Sequence, residues 1–252
     1  MDKNLETYNR KDVVNWYSRL TDLLHVEKAF FERKSETLKT GKILDIGVGG
    51  GRTTAYLFQH CKSYTGIDYS ENFVKILRMR FPATDIRHMD VRNLSAFPDN
   101  SFDLVNFSFN GIDYIDLAGR NRSLKEIWRV LKPGTTFFFS THNKDHSSFG
   151  KPPWLSTQNS FLINLKTFLK LLPFLPKNLK TRKLETITEE YAIINDSAHN
   201  YGLLTFYTSI KYLKKQLHDA GFHDIVMYTK DGCLVGSENP AEDWIFIECS
   251  KL

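Results

Sequence analysis

The chain has 252 residues, 41% of them hydrophobic and 13% aromatic, with a net charge of +5. That is enough apolar material for a sizeable core and excludes a disordered or low-complexity chain, but it leaves open one large domain or one domain with an insertion. Three widely separated cysteines (Cys61, Cys233, Cys249) fit neither a disulfide framework nor a zinc site and point to a reducing, cytoplasmic setting.

The first residues, MDKNLETYNRKD, are polar and hold no signal-peptide core. Residues 10–24 then carry Val13, Val14, Trp16, Tyr17, Leu20, Leu23 and Leu24 at helical spacing, and a second helix is expected through Phe30 and Phe31. From Lys42 strands and helices alternate: strand ILDIG, a helix near 52–60, strand SYTGID, a helix capped by Ser70 and running to Phe81, then strands DIRHM and DLVNFSF. A helix follows and stops at Lys132-Pro133-Gly134, because proline cannot continue it and glycine turns the chain. Strand TTFFFST completes this series. Such alternation implies a parallel sheet covered on both faces.

The alternation halts at about 145–206 and resumes with helix YTSIKYLKKQLHDAGF and strands DIVMYT and WIFIECS. No helix separates those last two strands, so they should pair antiparallel. The interruption reads as an insertion. Its FLINLKTFLKLLPFLP has an apolar stripe (Phe161, Leu165, Phe168, Leu169, Leu172) and is too short to span a bilayer. With Lys166, Lys170, Lys177, Lys180, Arg182 and Lys183 in or near it, it has the composition of a helix lying on a membrane surface. The expectation adopted is a helix docked on its own protein, since an apolar stripe usually faces a core. The later EEYAIINDSAHNYGLLTFYTS reads as two strands joined by a polar turn.

The turn LDIGVGGG raises the question of its ligand. A dinucleotide fingerprint needs G-x-G-x-x-G; Gly47 and Gly49 fit, but residue 52 is arginine. The Gly-Lys-Ser/Thr ending of a phosphate-binding P-loop is also missing. What stands there is Asp45, Gly47, Gly49 and Gly51 in strict alternation. Asp68 ends the second strand, where a carboxylate accepts both hydroxyls of a ribose. Asp90 ends the third, placed to accept from an adenine amino group.

This run of motifs resembles the class I S-adenosylmethionine-dependent methyltransferases. LDIGVGGG resembles their first glycine motif, YTGIDYS the acidic ribose motif, HMDVRNLSAFPDNSFDLV the adenine-side motif, and RVLKPGTTFFFS the late helix–turn–strand. The likeness covers about 41–143 and, more loosely, 207–250; where the family usually pairs glycines after Lys-Pro, this chain has Gly134-Thr135. It implies an α/β fold: a seven-stranded, mostly parallel Rossmann-like sheet with an antiparallel last strand, helices on both faces and an α+β lid insertion. Residues 1–40 would cap the cofactor, 41–144 with 207–252 would form the methyltransferase core, and 145–206 would be the substrate lid.

The resemblance also implies S-adenosylmethionine as cofactor, S-adenosylhomocysteine as product and no metal. Main-chain groups of Gly47, Gly49 and Gly51 would contact its amino-acid portion and Asp45 would help hold the ammonium, directly or through water. Asp68 would take the ribose diol, Tyr69 would pack on adenine, and Asp90 with the Val91 backbone would read the adenine edge. Phe107 would line the opposite wall and Tyr17 would close over the cofactor. For the acceptor side, His142, just beyond the fifth strand, is the candidate base, with His199 at the insertion's turn as a second candidate. The insertion's aromatics (Trp154, Phe161, Tyr191, Tyr201, Phe206, Tyr207) suit a lid over a flat or apolar small molecule, aromatic or of secondary metabolism, methylated at O or N. An RNA- or protein-modifying enzyme is the alternative that the basic 166–183 tract favours. Against a nucleic-acid partner, NFSFNG follows the fourth strand where look-alikes acting on nucleobases or glutamine amides carry an asparagine-proline-proline-tyrosine type motif.

Overall fold

The structure is a computed structural model, and it describes residues 3–156, 159–236 and 242–252. Four short helices open the chain: α1 (Lys3–Tyr8), α2 (Lys11–Tyr17), α3 (His25–Arg33) and α4 (Ser35–Thr40). The core follows as β1 (Lys42–Ile46), α5 (Arg52–His60), β2 (Ser63–Asp68), α6 (Glu71–Arg80), β3 (Asp85–His88), β4 (Phe102–Phe107), α7 (Leu117–Val130) and β5 (Leu131–Asn143). The interruption holds α8 (Phe161–Leu171), α9 (Leu175–Thr181), β6 (Thr186–Ile187) and β7 (Tyr191–Ile194), and β8 (Thr205–Thr208) closes it. The chain ends with α10 (Ile210–Asp219), β9 (Phe222–Tyr228) and β10 (Trp244–Lys251).

Strands β3-β2-β1-β4-β5 lie side by side, all parallel. On the far side of β5, β10 runs antiparallel to both β5 and β9, as the missing helix between the last two strands requires. Part of the turn joining them, 237–241, lies outside the described residues. These seven strands are the expected sheet. The interruption adds to it: β8 runs parallel to the end of β5 through His142 and Asn143, β7 pairs antiparallel with β8, and β6 with β7, giving ten strands in all.

Alternate residues of the central strands face opposite layers, as the two-residue period of a strand demands. Leu44, Val105, Phe137 and Phe139 pack toward α7 and α10, while Ile43, Leu104 and Phe138 pack toward α3, α5 and α6. Phe138 stacks on Phe30 with ring centres 3.9 Å apart, so the expected helix through Phe30 and Phe31 is a layer of the core. Each such ring contributes roughly 1.5–3 kcal/mol on burial.

The N-terminal pattern over 10–24 is not one helix. It stops at Tyr17, where the backbone crosses directly over the glycine turn: a Cβ on Gly50 would lie 2.2 Å from the Tyr17 carbonyl oxygen. Arg80 locks the crossing by donating to the Gly50 carbonyl at 2.5 Å and the Ser18 carbonyl at 3.4 Å. Trp16, counted among the apolar positions, is exposed. Gly50 is therefore required by a chain crossing.

Candidate functional site

A parallel sheet with strand order 3-2-1-4-5 has its crevice at the carboxyl ends of β1 and β4, where the order reverses. A cleft opens there. The ends of β1, β2, β3 and β4 supply Gly47, Gly49, Asp68, Tyr69, Asp90, Val91 and Phe107, and Tyr8 and Tyr17 from the N-terminal helices close it. Eight of the ten residues expected to hold the cofactor thus converge: these seven and Tyr17.

Gly47 and Gly49 have φ of +65° and +49°, values that an L side chain rarely adopts. A Cβ on Gly47 would also meet the Phe107 ring at 2.8 Å, so ring and turn fit only as a pair. Asp68 is 5% exposed; one carboxylate oxygen accepts from the Gly49 N–H and the other from the Ser70 N–H, both at 2.8 Å. Burial raises its pKa to about 6, against the pull of those two N–H donors. Four lone-pair sites on a carboxylate leave room for two more donors from the cleft. Asp90 is gripped by its neighbour Arg92, which donates from Nε at 2.9 Å and from its own N–H at 2.8 Å.

Two expected cofactor residues lie outside the cleft lining. Asp45 is buried beneath the turn and accepts from Thr53 Oγ1 at 2.7 Å, Asn106 Nδ2 at 2.7 Å and Tyr64 OH at 2.9 Å. It holds β1, β2, β4 and α5 together through these three donors. Burial raises its pKa. Gly51, with φ +91°, stands just before α5 and faces Leu77 of α6 and the following Phe81 instead of the cleft; a side chain there would strike Leu77 at 2.5 Å.

Neither candidate base lines the cleft. His142 Nδ1 pairs with Asp113 Oδ2 at 2.8 Å and Nε2 with Asn110 Nδ2 at 3.1 Å, so both ring nitrogens are engaged. Its ring stands behind that of Tyr114, a cleft residue, with centres 6.5 Å apart. Strand topology thus brings His142, the expected base, to the right edge, and its ring sits behind the cleft wall against a buried carboxylate. His199 lies behind Tyr17, its Nε2 3.4 Å from the phenol oxygen, and burial lowers its pKa.

The sequence reading missed Tyr8, Tyr114, Phe109, Ser108 and Arg52, all in the cleft wall. Arg52, the residue that broke the dinucleotide pattern, is paired at both guanidinium nitrogens with the fully buried Glu27 of α3 and lies 4.7 Å from the Phe109 ring centre. Only the arginine's position beside the glycines hinted at this; Glu27 gave no signal. Burial lifts the phenol pKa of Tyr8 and Tyr114 well above its usual value and that of Tyr17 to about 12, so all three stay neutral and offer hydrogen bonds rather than charge. Among the described residues no cluster of His, Cys, Asp or Glu could hold a metal ion.

Residues 44–139 match the family model described as a methyltransferase domain. A probable S-adenosylmethionine-dependent methyltransferase of Mycolicibacterium smegmatis is 30% identical over 142 residues, 56% of this chain and 54% of that one. A demethylmenaquinone methyltransferase of Listeria welshimeri is 39% identical over 77 residues, 28% of this chain and 30% of that one. The chain thus spans about half the length or less of these curated relatives. Among solved structures, a possible histamine N-methyltransferase of Thermotoga maritima superposes over 99% of this chain and 100% of its own with a TM-score of 0.57 at 18% identity, a likeness of fold. Motif sequence and strand order agree: residues 44–139 match a methyltransferase domain, and the chain shares the fold of S-adenosylmethionine-dependent methyltransferases of known structure.

Proposed function

We propose that the cleft binds S-adenosylmethionine and that the protein transfers its methyl group to an oxygen or nitrogen of a small molecule. The observation that carries this reading is Asp68: a buried carboxylate on the cleft wall, tied by one N–H to the glycine turn it faces. It fits a ribose diol, which brings two O–H donors and no charge. The turn has no lysine and no P-loop ending, which suits a ligand with a carboxylate and an ammonium but no phosphate. Gly47 and Gly49 would face the amino-acid portion, Tyr69 and Val91 the adenine, and Asp90 its amino group, turning from Arg92 to accept it.

When bound, this cofactor supplies a methyl group already activated on a sulfonium. What remains for the protein is to hold the acceptor in line and keep water out. Tyr8, Tyr17 and Tyr114 do both, as neutral, largely buried rings over the cleft with hydroxyls able to orient a polar acceptor. Tyr17, with the His199 ring behind it, would offer a proton leaving the acceptor a path into the protein. The aromatic, enclosed wall favours a small acceptor over an RNA or a protein chain. The names of the relatives, acting on demethylmenaquinone and possibly on histamine, support a small molecule without choosing between oxygen, nitrogen and carbon.

The test is to incubate the protein with S-adenosylmethionine labelled in the methyl group and a cell extract divided into small-molecule, RNA and protein fractions. Label should enter the small-molecule fraction. Label in RNA or protein alone would refute the acceptor class, and S-adenosylhomocysteine production with none of the three labelled would refute transfer.

A further inference from the structure

The helix expected to dock its apolar stripe on its own protein turns most of that stripe outward. α8 turns Asn164, Thr167, Phe168 and Leu171 inward, and Asn164 Nδ2 donates to the Ser156 carbonyl at 2.9 Å. Most of its apolar residues point out: Phe161 is 78% exposed, Leu162 66%, Leu169 57%, with Leu165 and Leu172 beside them. Beyond it Leu179 and Leu184 are exposed as well. Contiguous exposed apolar surface of this kind marks an interaction site.

Charge identifies the partner. Between 146 and 184 the sequence has seven Lys and Arg and not one Asp or Glu. Lys166 and Lys170 are exposed one turn apart among the outward leucines, and Lys177, Lys180, Arg182 and Lys183 follow. Among the described residues none of these six forms an ion pair, although Glu6 lies close enough to Lys177 to act on it electrostatically. A second copy of the chain would bring the same positive patch and be repelled. No described helix is long and apolar enough to cross a membrane. An outward apolar face set among lysines whose stems can lie flat while their charges reach headgroups is the pattern of a helix in the plane of a bilayer.

We propose that the 161–184 segment docks the protein on an anionic lipid surface. The segment is tied to the cleft roof: Thr181 of α9 shares a hydrogen bond with the Asn195 amide, and Asn195 begins the loop whose His199 packs on Trp16 and Tyr17. Docking therefore fixes which side of the cleft faces the bilayer, whatever the acceptor is.

Co-sedimentation with vesicles of phosphatidylcholine containing about one-third phosphatidylglycerol tests this, with pure phosphatidylcholine as control. The wild type should bind the anionic vesicles, bind neutral ones far less, and be released by high salt. Lys166→Ala with Lys170→Ala should weaken partitioning about fivefold per charge removed, so about 25-fold together. Leu165→Ser with Leu169→Ser should weaken it at least about tenfold. Because all four side chains are exposed, both variants should keep the wild-type melting temperature and S-adenosylhomocysteine affinity. Failure of the wild type to bind anionic vesicles, equal binding to neutral ones, or unchanged binding by both variants would overturn the proposal. So would a dimer that forms through this face and leaves vesicles unbound. None of these readouts depends on methyl transfer.

Discussion

Asp113 decides what His142 does. The carboxylate is fully buried and accepts from four donors: Arg120 Nη1 and Thr141 Oγ1 at 2.6 Å each on one oxygen, the His142 N–H at 2.7 Å and Nδ1 at 2.8 Å on the other. An imidazole held this way is a structural hydrogen-bond donor. His142→Ala should lower stability by about 1.5–3 kcal/mol, the scale of a lost hydrogen bond to a charged group. Turnover per folded molecule should stay within a few-fold, and the pH–rate profile should keep its acidic limb. A hundredfold fall in turnover with that limb abolished would restore His142 as the base. Spacing in the sequence correctly put a histidine at the reactive edge; it held no sign of Asp113, 29 residues earlier, because that partnership exists only once β5 and the 3-10 turn at Gly111–Tyr114 have met. Asp68 was legible because its environment is local, made by the residues just after its own strand and by the adjacent glycine turn.

Among the elements, those governed by short-range rules were readable. Ser70 caps α6 by accepting from the Phe73 N–H, α5 begins directly after Gly51, and the alternation from β1 to β5 follows the chain. Periodicity misled where tertiary structure decides. It cannot say that α2 must end so that Tyr17 can cross Gly50, nor which side of α8 faces the protein. The two strands expected in the interruption are β7 and β8, but the sequence did not show that they extend the core sheet: Phe206 of β8 is fully buried, 4.7 Å from the guanidinium of Arg120. Arg120 itself is buried on α7 and also reaches Thr141 of β5 at 3.2 Å and Gln216 of α10 at 3.4 Å. One cation thus joins the core to the added strands, and burial lowers its pKa while Asp113 opposes that. Arg120→Ala leaves Asp113 buried without its charge partner. The expected loss is about 3–5 kcal/mol, read from chemical denaturation. A loss under about 1 kcal/mol, the range of exposed pairs, would show that this cluster does not seat the strands.

At the scale of the whole molecule, three parts of the sequence meet at one cleft: the glycine turn and strand ends form its floor, the N-terminal helices its roof, and the 195–204 loop braces that roof through His199. The account requires the floor to hold a neutral diol on an ionised Asp68. With a pKa raised to about 6, the free carboxyl becomes protonated as pH falls through 6, and binding then carries the cost of removing that proton. The direct measurement is calorimetric titration of S-adenosylhomocysteine into the wild type and into Asp68→Asn between about pH 5 and pH 7.5. The wild type should weaken about tenfold from pH 7 to pH 5, as an ionised fraction set by a pKa near 6 requires. The variant should bind about ten- to a hundredfold more weakly at pH 7 and change little with pH. Equal affinity of the two proteins at pH 7, or full-strength binding of NADH by the wild type, would contradict the account.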